Sequence, residues 1–238
     1  MDSAALARHR LRARFPLRLK AVMIDLDGTL LDTIPDLAVA ANLMLEALER
    51  PPLDAELIRT FVGKGIPNLV KRTLAGNIEG GIDPALLERA LPIYERCYGS
   101  VNGRHTTLYA GVKEGLDHMR AAGFPLGCVT NKSMRFTRPL LQQTGLTPYF
   151  SEVVAGDTLT RKKPDPEPLL YACDKFRVAS REMLMIGDSL NDAQAARAAG
   201  CPVFCVTYGY NEGHDVRELD VDAIVASLLE AAGLIEKV

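Results

Sequence analysis

Two acidic clusters, each placed at the end of an apolar run, carry most of the chemistry in this chain. Asp25-Leu26-Asp27-Gly28-Thr29-Leu30-Leu31-Asp32 follows the run 21–24, and Gly187-Asp188-Ser189-Leu190-Asn191-Asp192 follows 183–186. A carboxylate aimed at phosphorus attacks it to give an aspartyl-phosphate, and Asp25 is placed for that task. Asp27, two residues on, then protonates the leaving oxygen and later takes a proton from water. Gly28 permits a tight turn that brings backbone N–H groups towards phosphate oxygens. Carboxylates from separate strands repel one another unless a hard cation sits among them, and oxygen donors favour Mg2+. The expected ligands are the carboxylates of Asp25 and Asp188 and the main-chain carbonyl of Asp27. Asp192 is expected one layer out, hydrogen-bonded to a metal-bound water or to Lys163, while also serving as N-cap of a helix over 193–199.

Lys163 lies in Arg161-Lys162-Lys163-Pro164-Asp165-Pro166. The following proline biases it to an extended backbone, and its ammonium can neutralise charge on the nucleophile and the transferring group. Thr130 and Asn131 close the run 125–129 and can donate to phosphate oxygens. Alone, a lysine in a basic loop reads as solvated and a Thr-Asn pair as a turn; beside two carboxylate motifs they read as a site.

Positioning these groups needs a particular scaffold. The runs 21–24, 125–129, 183–186 and 203–206 are continuously apolar, as in strands buried on both faces of a parallel sheet, and 152–155 is a weaker fifth. Helical patterns over 111–122, 133–144, 166–176 and 192–199 alternate with them, which predicts a doubly wound α/β domain. The stretch 222–232 reads as a short edge strand running into a helix. In parallel α/β sheets ligands bind beyond the carboxyl ends of the strands, where all four candidate segments fall. Residues 34–104 break the alternation. Helical patterns over 34–48, 54–61, 67–74 and 84–98 predict an inserted helical-bundle cap, with Leu37, Ala41, Met44, Leu45 and Leu48 on one face of its first helix. The division is therefore a basic N-terminal extension over 1–17, an α/β core over 18–33 and 105–238, and a cap over 34–104.

The 238 residues carry a net charge of only −2, so no basic field points to nucleic acid. No run approaches the roughly 18 apolar residues of a membrane span. Five cysteines form no CxxC pair, and an odd count without a secretory signal suggests a reducing, cytoplasmic compartment. Gly63-Lys64-Gly65 lacks the rest of a P-loop, Ser189 lacks the GxSxG elbow, and the four histidines match no ligand spacing. The expected partner is a small phosphate ester, with no nucleic acid or membrane; a monomer and a homodimer both stay open.

DLDGTLLD, Thr130, Lys163-Pro164 and GDSLND, in that order and spacing, resemble the four motifs of the haloacid dehalogenase superfamily. The resemblance implies a Rossmann-like core, magnesium-dependent phosphoryl transfer and a helical cap after the first motif. Dehalogenase and phosphonatase relatives lack an acid at the position of Asp27, so its presence favours phosphoester chemistry. Gly156-Asp157-Thr158-Leu159, Tyr208-Gly209-Tyr210-Asn211 and Phe61-Val62-Gly63-Lys64-Gly65 are similar to the phosphoglycolate phosphatase branch, implying hydrolysis of 2-phosphoglycolate to glycolate and phosphate. Relatives read the leaving group with such a cap loop, so Lys64, held between Gly63 and Gly65, is the expected partner of a substrate carboxylate. A sugar-phosphate phosphatase, a β-phosphoglucomutase-like mutase and, more remotely, a non-catalytic phospho-accepting domain are the alternatives. The last needs neither a cap nor an acid at Asp27.

Overall fold

Four central strands with every side chain buried, flanked by helices with one buried stripe, form the heart of the computed structural model, which describes residues 15–238. The chain opens with β1 (Leu17–Leu19), β2 (Ala21–Ile24) and β3 (Leu31–Asp32). It then enters an all-helical segment of α1 (Ile34–Ala47), α2 (Ala55–Arg59), α3 (Ile66–Ala75) and α4 (Pro84–Val101). The return passes through β4 (Thr107–Leu108), α5 (Val112–Ala121), β5 (Leu126–Val129), α6 (Met134–Gln143) and β6 (Glu152–Val154). The remainder is α7 (Glu167–Phe176), β7 (Met183–Gly187), α8 (Leu190–Ala199), β8 (Val203–Val206), β9 (Ala223–Val225), α9 (Leu228–Gly233) and β10 (Ile235–Lys237). No helix among the described residues is long and apolar enough to cross a membrane.

Six strands form one parallel sheet in the order β6-β5-β2-β7-β8-β9. The chain steps outward from β2 to β5 and β6, then returns past β2 to lay down β7, β8 and β9. The order therefore reverses between β2 and β7, the point at which such sheets open a crevice for ligands. Both faces are covered. Val22 and Ile24 face a layer with Leu116, Leu126, Phe204 and Leu228, whereas Ala21 and Met23 face Leu169, Ala172, Met185 and Ala195. Burial on both faces is why these strands show no alternation in sequence.

The cap has its own core, built on Met44, Ile58, Phe61, Leu69, Tyr94 and Tyr98. Local sequence fixes its helix starts. Asp54 accepts from Glu56 N–H ahead of α2, and Asp83 accepts from Ala85 N–H ahead of α4, whose first residue is proline. Leu48, expected on the buried face of α1, lies instead just past the helix end and is only partly buried.

Two short strand pairs fall outside the expected pattern. β1 pairs in parallel with β10, tying the two ends of the described chain together. Residues 1–14 of the basic extension lie outside the described residues, and Leu17, expected at its end, is the first residue of β1. β3 pairs antiparallel with β4, so the outgoing and returning connections to the cap run side by side. Asp36, fully buried in the first turn of α1, fixes this junction. Its carboxylate accepts from the N–H groups of Gly103, His105 and Thr106 and from the Thr106 hydroxyl at 2.7–3.2 Å.

Candidate active site

Asp25 stands one residue beyond β2, with its N–H bonded to Ile186 C=O of β7, which plants it at the crevice. Its Oδ1 accepts from Leu26 N–H at 2.7 Å and pairs with Lys163 Nζ at 2.9 Å. Among the described residues no protein donor reaches Oδ2, which is free to face a ligand. Burial pushes the Asp25 carboxyl up to about 7, with Lys163 pulling the other way and Asp192 adding to the rise.

Lys163 is 3 % exposed and fully engaged. Besides Asp25, its ammonium donates to Asp192 Oδ1 and Val129 C=O, each at 2.7 Å. An ammonium has three N–H donors, and all are used. Burial works against the charged form, but Asp192 and Asp25 outweigh it and hold the proton above the usual lysine range.

Asp188 stands one residue beyond β7 at 2 % exposure. Tyr210 N–H donates to its Oδ2 and the Thr29 hydroxyl to its Oδ1. Burial, then the nearby Asp192 and Asp25, push this carboxyl well above its usual range. The chain crowds it: a Cβ on Gly28 would lie 2.3 Å from Asp188 Oδ2, and one on Gly209 2.1 Å from Asp188 Cβ. Gly28 also has φ +86°, in the left-handed region where only glycine is unstrained. Its N–H is spent within the turn on Leu31 C=O, so what Gly28 gives the site here is space rather than a donor for phosphate.

Asp192 occupies the position one layer out. Oδ1 takes Lys163, and Oδ2 accepts from the Ser189 hydroxyl at 2.7 Å and from Ser189 N–H at 3.1 Å. The expected N-cap role belongs to Ser189 instead. α8 begins at Leu190, two residues earlier than the pattern suggested, and Asp192 is its third residue reaching back over the cap. Oxygens of Asp25, Asp188 and Asp192 lie within 4.8 Å of one another. Buried acids that repel one another and resist ionisation are the donor set that a hard divalent cation relieves.

Thr130 ends β5, and its hydroxyl oxygen accepts from Lys132 N–H at 3.2 Å, leaving its own proton for a ligand. Asn131, expected at phosphate, spends both amide hydrogens elsewhere. They go to Gly63 C=O in the cap loop at 2.9 Å and to Lys163 C=O at 2.8 Å, tying cap to core. Lys64 is not brought to the cavity. Its ammonium pairs with Glu212 at 3.2 Å, and Glu212 is also held by Arg72 at 3.0 Å. Burial would raise the Glu212 carboxyl, but Arg72 and Lys64 prevail and lower it. Lys64 therefore clamps the cap loop to the core, while its neighbours Gly63 and Gly65 line the cavity.

Sequence reasoning passed over Lys132. It is 6 % exposed, and its ammonium bridges both oxygens of Asp27 at 2.8 and 2.9 Å, 5.0 Å above the ring of Tyr98 from the cap. The Thr33 hydroxyl also donates to Asp27 Oδ1, at 2.7 Å. A lysine one residue past a Thr-Asn turn reads as solvated. Only the closed cap reveals that it is not.

These groups share one cavity of about 40 Å3, room for roughly three waters. Asp25, Asp27, Thr130, Asn131, Lys132 and Asp188 form its core side, and Leu37, Val62, Gly63, Gly65, Ile66 and Leu69 its cap side. The arrangement brings together a buried carboxylate with one oxygen free, a second carboxylate on the same cavity, a buried ammonium paired to the first, and three acids whose oxygens could hold a metal ion.

Residues 19–200 match the family model described as haloacid dehalogenase-like hydrolase. The chain is 60% identical over 223 residues to a phosphoglycolate phosphatase of Nitrosospira multiformis, spanning 94% of this chain and 98% of that one. It is 55% identical to a phosphoglycolate phosphatase of Thiobacillus denitrificans over the same shares. A crystal structure described as a predicted phosphoglycolate phosphatase from Haemophilus somnus 129pt superposes with a TM-score of 0.84 at 33% identity, covering 90% of this chain and 96% of that one.

Proposed function

This chain belongs to the haloacid dehalogenase-like hydrolase family, and from that premise we propose that it is a phosphatase that hydrolyses 2-phosphoglycolate to glycolate and phosphate. The observation that carries the reading is convergence: the ends of β2, β5 and β7 deliver Asp25, Thr130 and Asp188 to one cavity that a helical cap covers, and the loop after β6 sets Lys163 behind Asp25. The names of its relatives support the substrate.

Catalysis divides into two transfers at Asp25. Asp25 Oδ2 attacks phosphorus, the bond from phosphorus to the glycolate oxygen breaks, and Asp27 gives that oxygen its proton. Water then attacks the aspartyl-phosphate and loses a proton to Asp27; the phosphorus–Asp25 bond breaks, and phosphate leaves. Lys163 holds Asp25 Oδ1 throughout, which fixes the attacking oxygen and offsets charge on the phosphoryl group. The Thr130 hydroxyl is free to donate to a phosphoryl oxygen. Asp25, Asp188 and the Asp27 carbonyl would hold Mg2+, with Asp192 orienting Asp188 and Lys163 from behind. The bound ion supplies positive charge that ionises the buried acids and draws phosphoryl oxygens into line. Apolar cap residues exclude bulk water from the nucleophile.

The test is phosphate release from 2-phosphoglycolate by the purified protein, with Mg2+ and with excess chelator. Release only in the presence of the metal is expected. Conversion of β-glucose 1-phosphate to the 6-phosphate, without turnover of 2-phosphoglycolate, would replace the phosphatase reading with the mutase one.

A further inference from the structure

The sequence directs attention to Lys64 as the reader of the leaving group, and the geometry redirects it. Two buried ammonium groups serve the site, Lys132 in the cavity wall and Lys163 behind Asp25, and they differ in how fully they are engaged. Lys163 has an acceptor for each of its three N–H groups. Among the described residues Lys132 has acceptors for two, both on Asp27, and its Nζ otherwise faces the Tyr98 ring. One N–H of a cavity-lining, desolvated cation is thus unused.

Its location fixes what it can meet. With Asp27 as the acid that reaches the ester oxygen, an ammonium 2.8 Å from Asp27 lies on the leaving-group side of the site, whereas Lys163 pairs with the nucleophile. In 2-phosphoglycolate the carboxylate is separated from the ester oxygen by a single methylene. Charge gives the second argument. With Asp27 carrying the proton it gives to the leaving oxygen, the carboxylates of Asp25, Asp188 and Asp192 face the ammonium groups of Lys132 and Lys163, and a divalent cation leaves that set with one net positive charge. A further anionic group on the substrate enters a dry site, where an unpaired charge is costly, unless a cation on this side receives it. The rest of the wall there is apolar, with Leu37, Val62, Ile66 and Leu69.

We propose that Lys132 is the specificity-determining residue that recognises the carboxylate of the leaving group, through the N–H it does not spend on Asp27. This deepens the phosphoglycolate reading and rests on it. Lys132 then bridges the general acid and the substrate carboxylate, so a substrate with an acidic leaving group also sets the distance between its ester oxygen and Asp27. A neutral alcohol leaving group gains neither contact.

The experiment compares kcat/KM for 2-phosphoglycolate with that for ethyl phosphate, which has the same chain length and no carboxylate. Wild type, Lys132→Met, Lys132→Gln and Lys132→Arg are measured at saturating Mg2+, with circular dichroism to confirm folding. Losing one partner of a desolvated charge pair should lower kcat/KM for 2-phosphoglycolate on the order of 100-fold or more in Lys132→Met. KM should carry most of that loss, and ethyl phosphate should fall less than about tenfold, from the looser hold on Asp27. Lys132→Gln should behave similarly, and Lys132→Arg should keep the preference for the acidic ester. A parallel fall for both esters in the folded Met and Gln variants would make Lys132 a support for Asp27 alone and overturn the inference. An unchanged preference would do the same. If wild type turns over ethyl phosphate but not 2-phosphoglycolate, the substrate assignment itself fails, a result visible before any variant is made.

Discussion

The core and the cap meet at one cavity but bring different chemistry to it. On the core side each charged group is bonded into a network anchored at strand ends: Lys163 is saturated, Asp192 is held through both oxygens, and Asp188 is wedged against Gly28 and Gly209. On the cap side the lining is aliphatic and glycine, and two of the cap's charged groups, Lys64 and Arg72, are turned to Glu212 at the edge. The core side is built to hold charge fixed while phosphorus changes partners, and the cap side to exclude water and shape the leaving group. Chemistry should therefore fail sharply with changes to the first and gradually with changes to the second.

Loss of the nucleophile is the largest expected effect. Asp25→Asn should lower phosphate release by at least about 10^4-fold with little change in thermal stability, measured in a steady-state assay beside a melt. Lys163→Met comes next. It strands Asp25 and Asp192 without their cation, and breaking a buried pair costs about 3–5 kcal/mol. The melting temperature should fall clearly along with activity; a stable, active Lys163→Met would end the claim that the core side is one charge network.

The junction probes the boundary between the regions. Asp36→Ala removes the acceptor for three N–H groups and one hydroxyl, and buried donors left unpaired cost about 1–3 kcal/mol each where water does not replace the lost acceptor. Faster limited proteolysis of the cap and a higher KM are expected, with kcat less affected. The smallest effect belongs to Lys64→Ala. Its ion pair is partly exposed and worth about 0–1 kcal/mol, so kcat/KM for 2-phosphoglycolate should stay within roughly threefold of wild type. A loss comparable to that of Lys132→Met would restore Lys64 as the carboxylate reader.

The same contrast explains what the sequence reveals. Asp25 and Asp188 follow continuous apolar runs, so they were legible from strand ends, as was the parallel sheet; Thr130 and the loop lysine Lys163 were legible only in the company of those two acidic motifs. Helices of the cap were legible from their periodicity and from Asp83-Pro84. β1 with β10 and β3 with β4 were not, because strands of two or three residues leave no pattern to read. Lys132, Asp36 and Tyr210 were missed for a different reason. Each takes its role from a partner distant in sequence: Asp27, the stretch 103–106, and Asp32 with Thr33 and Asp188. Spacing rules cannot reach such partners. Lys64 failed the other way, since its glycine-flanked position gave no sign that Glu212 would claim it.

The most direct test of Asp25 as the group that accepts phosphorus is to quench the Mg2+-loaded enzyme in acid during turnover of 2-phosphoglycolate and map the modified peptide by mass spectrometry. One phosphoryl group on Asp25, absent from Asp25→Asn, is the predicted result. A phosphoryl group on any other residue, or full turnover by Asp25→Asn, would contradict it.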